Sequence, residues 1–223
     1  MPPWDGYWAW HAPEVNVYVH RGKLKRREDV IVTVAVNMSN GSEMSMIRVR
    51  EAHRKTVFEI GDFIKERAAS VRAGEENKTS KNKYVLGNIP WPFRRATFNL
   101  VKWLFTTLGI ELPFMGLKTE AFGSITLSNI GSHGLNIGLG ALFPASRLPA
   151  VLIMGREEEK PVVRDGEIVI RKILPLAGTF DHRVVDGYHG GVMAHHLRRY
   201  LENPELLAQP PEEVESSIYK EEE

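Results

Sequence analysis

Residues 180–187 read FDHRVVDG, and no other stretch constrains the fold of this chain as strongly. A run of β-forming residues, Glu167 to Phe180, leads into it, and a helical run follows. His182 and Asp186 therefore fall at a strand-to-helix junction, four residues apart, with Gly187 straight after. An imidazole fixed at the end of a strand is held rigidly against whatever approaches it. Histidine is also the side chain best matched to proton transfer near neutral pH. A structural histidine fits the same position, and Asp186 fits equally as the N-cap of the following helix.

The rest of the chain alternates strands and helices. Val30 to Val36 and Met46 to Val49 read as strands, with Asn40-Gly41 as the turn between them. Thr56 and Glu59 form a capping box, after which Val57, Ile60, Phe63 and Ile64 share one helical face; this helix is expected to end near Gly74. Glu75 to Lys83 is polar and reads as an exposed loop. Trp91 to Leu108 reads as an amphipathic helix with the stripe Phe98, Val101, Leu104, Phe105 and Leu108. It suits packing on its own domain or on a partner subunit, and a basic amphipathic helix also suits a membrane surface.

Gly123 to Ile130 reads as a strand entering a glycine-rich turn, followed by strands at Val151 to Met154, Pro161 to Val163 and Glu167 to Phe180. Arg164-Asp165-Gly166 supplies a hairpin turn. The last helix shows Val192, Met193, Leu197, Tyr200 and Leu201 on one face and stops at Asn203-Pro204. This order predicts an α/β fold, a two-layer sandwich of a mixed, largely antiparallel sheet covered by helices. Residues 1–210 are expected to form one domain, with 211–223 a frayed acidic tail.

Composition narrows the functional classes. The 223 residues carry a formal charge of +1, so bulk charge predicts neither nucleic-acid nor membrane binding. No cysteine is present, which excludes disulfides, thiolate metal sites and a cysteine acyl-enzyme, and fits a cytoplasmic location. Phe98 to Leu117 is the most apolar stretch, but Lys102, Glu111, Gly109 and Pro113 interrupt it, so no transmembrane segment is predicted. His182 and Asp186 have a spacing that metals use, yet no third ligand is assignable, and no metal site is expected. His133, His189, His195 and His196 are weaker candidates for chemistry.

The run from Asp181 to Gly187 resembles the active-site motif of the acyltransferase components of 2-oxoacid dehydrogenase complexes, members of the chloramphenicol acetyltransferase-like superfamily. The downstream LRRYLENPELL is similar too, and ITLSNIG, which contains Ser128, looks like that family's FTISNLG. The resemblance is firm from about Phe122 to Leu207 and weaker upstream, at Pro13 to Asn16, Val34 to Val36 and Val49-Arg50. It implies that His182 is a general base and that Ser128 donates a hydrogen bond to the tetrahedral oxyanion. A serine that merely caps a turn would read the same way. Asp186 would support the site, Asp181 and Arg183 would form structural ion pairs, and Asn129 and Gly187 would shape the adjoining backbone.

The implied reaction moves an acyl group between a thioester such as acyl-coenzyme A and a thiol of dihydrolipoamide type, or another acceptor. The implied partners are further copies in a homotrimer or an assembly of trimers, and a lipoyl-bearing protein. In such a trimer the histidine and the serine come from adjacent chains, and the helix around Trp103 is a candidate contact surface. Departures from the pattern are the apparent absence of an opening segment before Pro13 and an insertion over about 84–121. They leave room for a second polypeptide that supplies the opening segment. Two other readings stand beside the first: a non-catalytic assembly subunit, and an acetyltransferase acting on a small hydroxyl compound.

Overall fold

The computed structural model describes residues 15–37, 44–73, 90–112, 121–142 and 146–208. Val15 is fully buried and leads into a small hairpin, β1 (Val17–His20) and β2 (Lys23–Arg26). Arg21 and Gly22, both at positive φ, form its turn. This hairpin is absent from the sequence expectation, although an Arg-Gly turn between alternating residues is a usable signal.

β3 (Val32–Asn37), β4 (Met44–Val49), β5 (Ile125–Asn129), β6 (Ala150–Met154) and β9 (Leu176–Phe180) build a five-stranded sheet in the order β4-β3-β5-β6-β9. The two inner pairings, β3 with β5 and β5 with β6, are parallel, and the two outer ones are antiparallel. The sheet is thus mixed, as expected. β7 (Glu158–Arg164) and β8 (Glu167–Ile173) form a separate hairpin. Its turn is the predicted one, with Asp165 at φ 51° and Gly166 at φ 83°.

One expectation needs correcting. Glu167 to Phe180 is not one strand but two, β8 and β9, in different sheets. The break falls at Leu174-Pro175. Proline has no N–H for a ladder, and its carbonyl instead accepts from the backbone N–H of Gly155. The Asn40-Gly41 turn, the 75–83 loop and the acidic tail lie outside the described residues.

Two of the three described helices cover one face of the sheet, the first through Ile60 and the last through Met193, Leu197 and Tyr200. α1 (Val57–Arg72) starts with the predicted capping box, in which Thr56 Oγ1 accepts from Glu59 N–H and the Glu59 carboxylate accepts from Thr56 N–H. α2 (Trp91–Thr106) ends two residues earlier than expected, before Gly109 at φ 66°. α3 (Gly187–Glu202) presents Met193, Leu197 and Tyr200 to the sheet. These join Val32, Val34, Ile125, Leu127, Ala150 and Leu152, every second residue along their strands, in the main core. Each buried Val, Ile, Leu or Met side chain among them contributes about 1.5–3 kcal/mol. Leu201, expected on the same face, is 47% exposed.

The opposite face carries Val151 and Ile153, covered by Leu148, Phe122, Ile130 and Leu142. Here the chain over 135–142 crosses the sheet with its glycines inward. A Cβ on Gly138 would strike Ile130, and one on Gly140 would strike Val151. Leu135, Ile137 and Leu139 consequently point outward and are exposed.

Candidate active site

His182 sits in a tight turn just past the end of β9. The turn is pinned at its first residue. Asp181 N–H donates to the Pro149 carbonyl, while the Asp181 carbonyl accepts from the N–H groups of Val184 and Val185. The Asp181 carboxylate takes both arms of the Arg183 guanidinium, Nε at 2.9 Å and Nη2 at 2.6 Å, and the Arg183 N–H at 3.1 Å. The Arg183 side-chain hydrogen bonds hold the Asp181 carboxyl below its usual range, against the opposing effect of burial. The expected ion pair is thus present, and it clamps the residues on either side of His182. The imidazole itself is exposed.

Asp186 closes the turn as the N-cap of α3, accepting from His189 N–H at 3.0 Å. That backbone hydrogen bond is the main reason its carboxyl lies below the ordinary value. Its Oδ1 also lies 2.6 Å from His189 Nδ1. His189 is therefore tied into the motif's turn, which the sequence reading passed over. The signal was its place three residues after an N-cap, where a capping-box partner belongs. A Cβ on Gly187 would meet nothing within 4 Å, so packing inside the chain does not require glycine there.

Ser128 lies next to the end of β5, half-buried, on the sheet face away from the helices. The turn after it is held against β6: Ile130 N–H donates to the Met154 carbonyl, and Ser132 Oγ donates to the Asn129 carbonyl. Gly131 backs directly onto Gly155, where a Cβ would come within 2.5 Å of the Gly155 carbonyl oxygen. Asn37 Nδ2, at the end of β3, lies 3.0 Å from His133 Nε2 and ties that strand to the same turn.

The sheet register separates the two site residues. Ser128 is level with Ile153 on β6 and Ala177 on β9, whereas Phe180 is level with Ala150 and Ile125. Because β9 runs opposite to β5 and β6, His182 emerges at the far end of the sheet from Ser128. At about 3.3 Å per residue and about 4.8 Å per strand, they stand well over 10 Å apart. Within one chain they cannot act on the same atom.

Two hollows flank these elements. A cleft of about 80 Å³ beside the His182 turn is lined by Tyr18, Thr106, Arg147, Asp181 and Arg183 among others. A groove of about 640 Å³ runs between β9 and α3, with Leu152, Leu176, Phe180, Met193, Leu197 and Leu201 on its walls. Among the described residues nothing pairs with the outer edge of β9 beside it. No cluster of three His, Asp or Glu suited to a metal occurs among the described residues.

The fold is that of dihydrolipoamide acetyltransferase cores. A probable dihydrolipoamide acetyltransferase from Listeria monocytogenes superposes with a TM-score of 0.64 at 17% identity, over 90% of this chain and 67% of that one. The cubic core of a pyruvate dehydrogenase multienzyme complex gives a TM-score of 0.60 at 18% identity, over 92% and 68%. The Azotobacter vinelandii dihydrolipoamide acetyltransferase, studied for the catalytic role of a serine, a histidine and an asparagine, gives 0.60 at 17%, over 92% and 68%.

Residues 119–209, which hold both Ser128 and His182, match the catalytic-domain model of the 2-oxoacid dehydrogenases acyltransferase family. The dihydrolipoyllysine-residue acetyltransferase component of the Staphylococcus epidermidis pyruvate dehydrogenase complex is 35% identical over 162 residues, 71% of this chain and 27% of that protein. Its Staphylococcus aureus counterpart is 33% identical over the same shares. The chain thus spans about a quarter of the length of these curated relatives.

Proposed function

We propose that this chain is an acyltransferase that moves an acyl group between a thioester, such as acyl-coenzyme A, and a thiol of the dihydrolipoamide type. His182 is its general base and Ser128 its oxyanion donor. The supporting observation is the pair of rigidly held residues at opposite ends of one sheet, each inside the family-matched segment. The Azotobacter relative has a histidine and an asparagine four residues apart among its catalytic residues; His182 and Asp186 have that spacing here, with aspartate in the second place.

The chemistry follows from the residue types. A thiol with a pKa near 8.5 is mostly protonated at neutral pH. The neutral His182 imidazole takes its proton as the sulfur forms a bond to the thioester carbonyl carbon. The carbonyl oxygen then carries the negative charge, and the Ser128 hydroxyl donates a hydrogen bond to it. Collapse breaks the original carbon–sulfur bond, and the imidazolium returns the proton to the departing thiolate. Asp181, Arg183 and Asp186 hold the base, and Asn129 shapes the serine turn. No covalent acyl-enzyme is needed.

The separation of Ser128 from His182 favours a site assembled between copies of the chain, in a homotrimer or an assembly of trimers. Two neutral apolar surfaces suit such contacts: the outward row Leu135, Ile137 and Leu139, and the hairpin face bearing Val163, Ile168 and Ile170, all more than half exposed. The open β9 edge and its groove suit a further polypeptide segment adding a strand there. We take the acceptor thiol to be that of a protein-borne lipoyl group and place the reaction in the cytoplasm. The test is thiol release from acetyl-coenzyme A with dihydrolipoamide as acceptor. His182→Ala should lower turnover by about 10²-fold or more. Turnover equal to wild type would leave the motif idle and favour a non-catalytic assembly subunit.

A further inference from the structure

The level of Ser128 in the sheet decides where an acyl group held there can extend. Cross-strand partners set Met46, Ala35, Ser128 and Ile153 in one row across β4, β3, β5 and β6, and partners at one level share a face of the sheet. It is the face away from the helices, because the adjoining residues Val34, Leu127 and Leu152 point into the main core. Toward β6 the row is closed: Ile153 is buried beneath Gly138 and Gly140, where added Cβ atoms would lie 3.8 and 3.4 Å from its side chain. Toward the middle of the sheet Thr33 and Thr126 are buried, and Thr33 Oγ1 donates to the Phe122 carbonyl, so the Phe122 segment lies over this face. At the strand ends Asn37 Nδ2 and His133 Nε2 meet at 3.0 Å and close the row from that side. Among the described residues the row is open only across β3. Ala35 is half-buried and carries just a methyl group; Met46, beyond it on the edge strand, is 42% exposed.

We propose that the strip over Ala35 seats the acyl chain of the thioester, and that Met46 makes the protein select an aliphatic acyl group of about four or five carbons over acetyl. The inference rests on Ser128 as the oxyanion donor. With the carbonyl oxygen on Ser128, the carbonyl carbon keeps two substituents. One is the sulfur, which must face the base; the other is the acyl chain, which takes the open strip. Ser128 and Met46 are two strand spacings apart, about 10 Å. The single methyl of an acetyl group ends over Ala35, whereas a chain of four or five carbons, at about 1.5 Å per bond, comes within reach of the Met46 thioether. Methionine is flexible and polarizable, so it can fold down on chains of different shape. Arg48 is the next residue on this face of β4, which makes a succinyl group the competing substrate.

Competing thioesters test this, with acetyl-, butyryl- and succinyl-coenzyme A offered to the full chain and dihydrolipoamide as acceptor. Butyryl-coenzyme A should exceed acetyl-coenzyme A in kcat/KM by about tenfold, at roughly fourfold per buried methylene. Met46→Ala should lower that ratio about fivefold. Ala35→Leu, which fills the strip, should reverse the order. The same order of affinities should appear by calorimetry with His182→Ala, where binding is read apart from turnover. Equal kcat/KM for acetyl and butyryl overturns the proposal, as does a ratio that Met46→Ala leaves unchanged, or a preference for succinyl. Failure of folded wild-type protein to turn over any of the three would sink the acyl-transfer reading itself. The affinities then still decide the seat: tighter butyryl binding that Met46→Ala weakens supports it, and equal binding overturns it.

Discussion

At the scale of single residues, the candidate base is held by its neighbours rather than by contacts of its own. Asp181 and Arg183 lock each other across it, and Asp186 caps the helix that follows. Asp181 has a lowered carboxyl pKa in the folded state. Its stabilising contribution is therefore present in full above the unfolded value near 3.9, and is lost as the pH falls through the lower folded value. Asp181→Asn should cost about 1 kcal/mol in urea unfolding from pH 6 to 8. The gap to wild type should close below about pH 4. A gap that stays constant down to pH 2 would mean that the carboxylate charge contributes nothing. The same substitution should lower kcat more than KM, since it loosens the aim of the His182 turn.

At the scale of elements, the Ser128 turn depends on backbone packed against backbone. A Cβ on Gly155 would lie 1.8 Å from the Asn136 carbonyl oxygen, and neither partner is a flexible side chain that could yield. Gly155→Ala should destabilise the fold by about 1–3 kcal/mol and disturb the serine end of the sheet more than the histidine end. Thr56→Ala, which breaks the α1 capping box far from either residue, should cost about 1 kcal/mol and leave turnover unchanged. Unfolding curves beside turnover numbers separate the two cases.

Local chemistry made much of this legible beforehand. The Thr56–Glu59 capping box, the Asp165-Gly166 turn and apolar periodicity each announce themselves within a few residues. The split of Glu167 to Phe180 was not legible as a partition between sheets, because every residue there suits a strand. Pro175 was the one local hint, and only the tertiary pairing decides which partner each half takes. Nor could a sequence pattern place Asn37 beside His133, since that contact joins residues 96 positions apart.

At the scale of the whole molecule, the separation of His182 from Ser128 dictates how defects should combine. Chains carrying His182→Ala and chains carrying Ser128→Ala are each expected to be nearly inactive. Mixed after partial unfolding and reassembly, they should regain activity, because some interfaces then receive one intact residue from each chain. No recovery on mixing, with assembly intact by light scattering, would place both residues of each site in one chain.

The same register has a consequence for populations of molecules. If every site draws its histidine from one chain and its serine from the next, a chain defective in both residues spoils two sites, not one. Activity should then follow the square of the intact fraction: at equal amounts of intact and doubly defective chain, about a quarter of full activity remains rather than about half. A defective copy produced alongside a sound one would act as a poison on its neighbours, an outcome written into the opposite directions of β5 and β9.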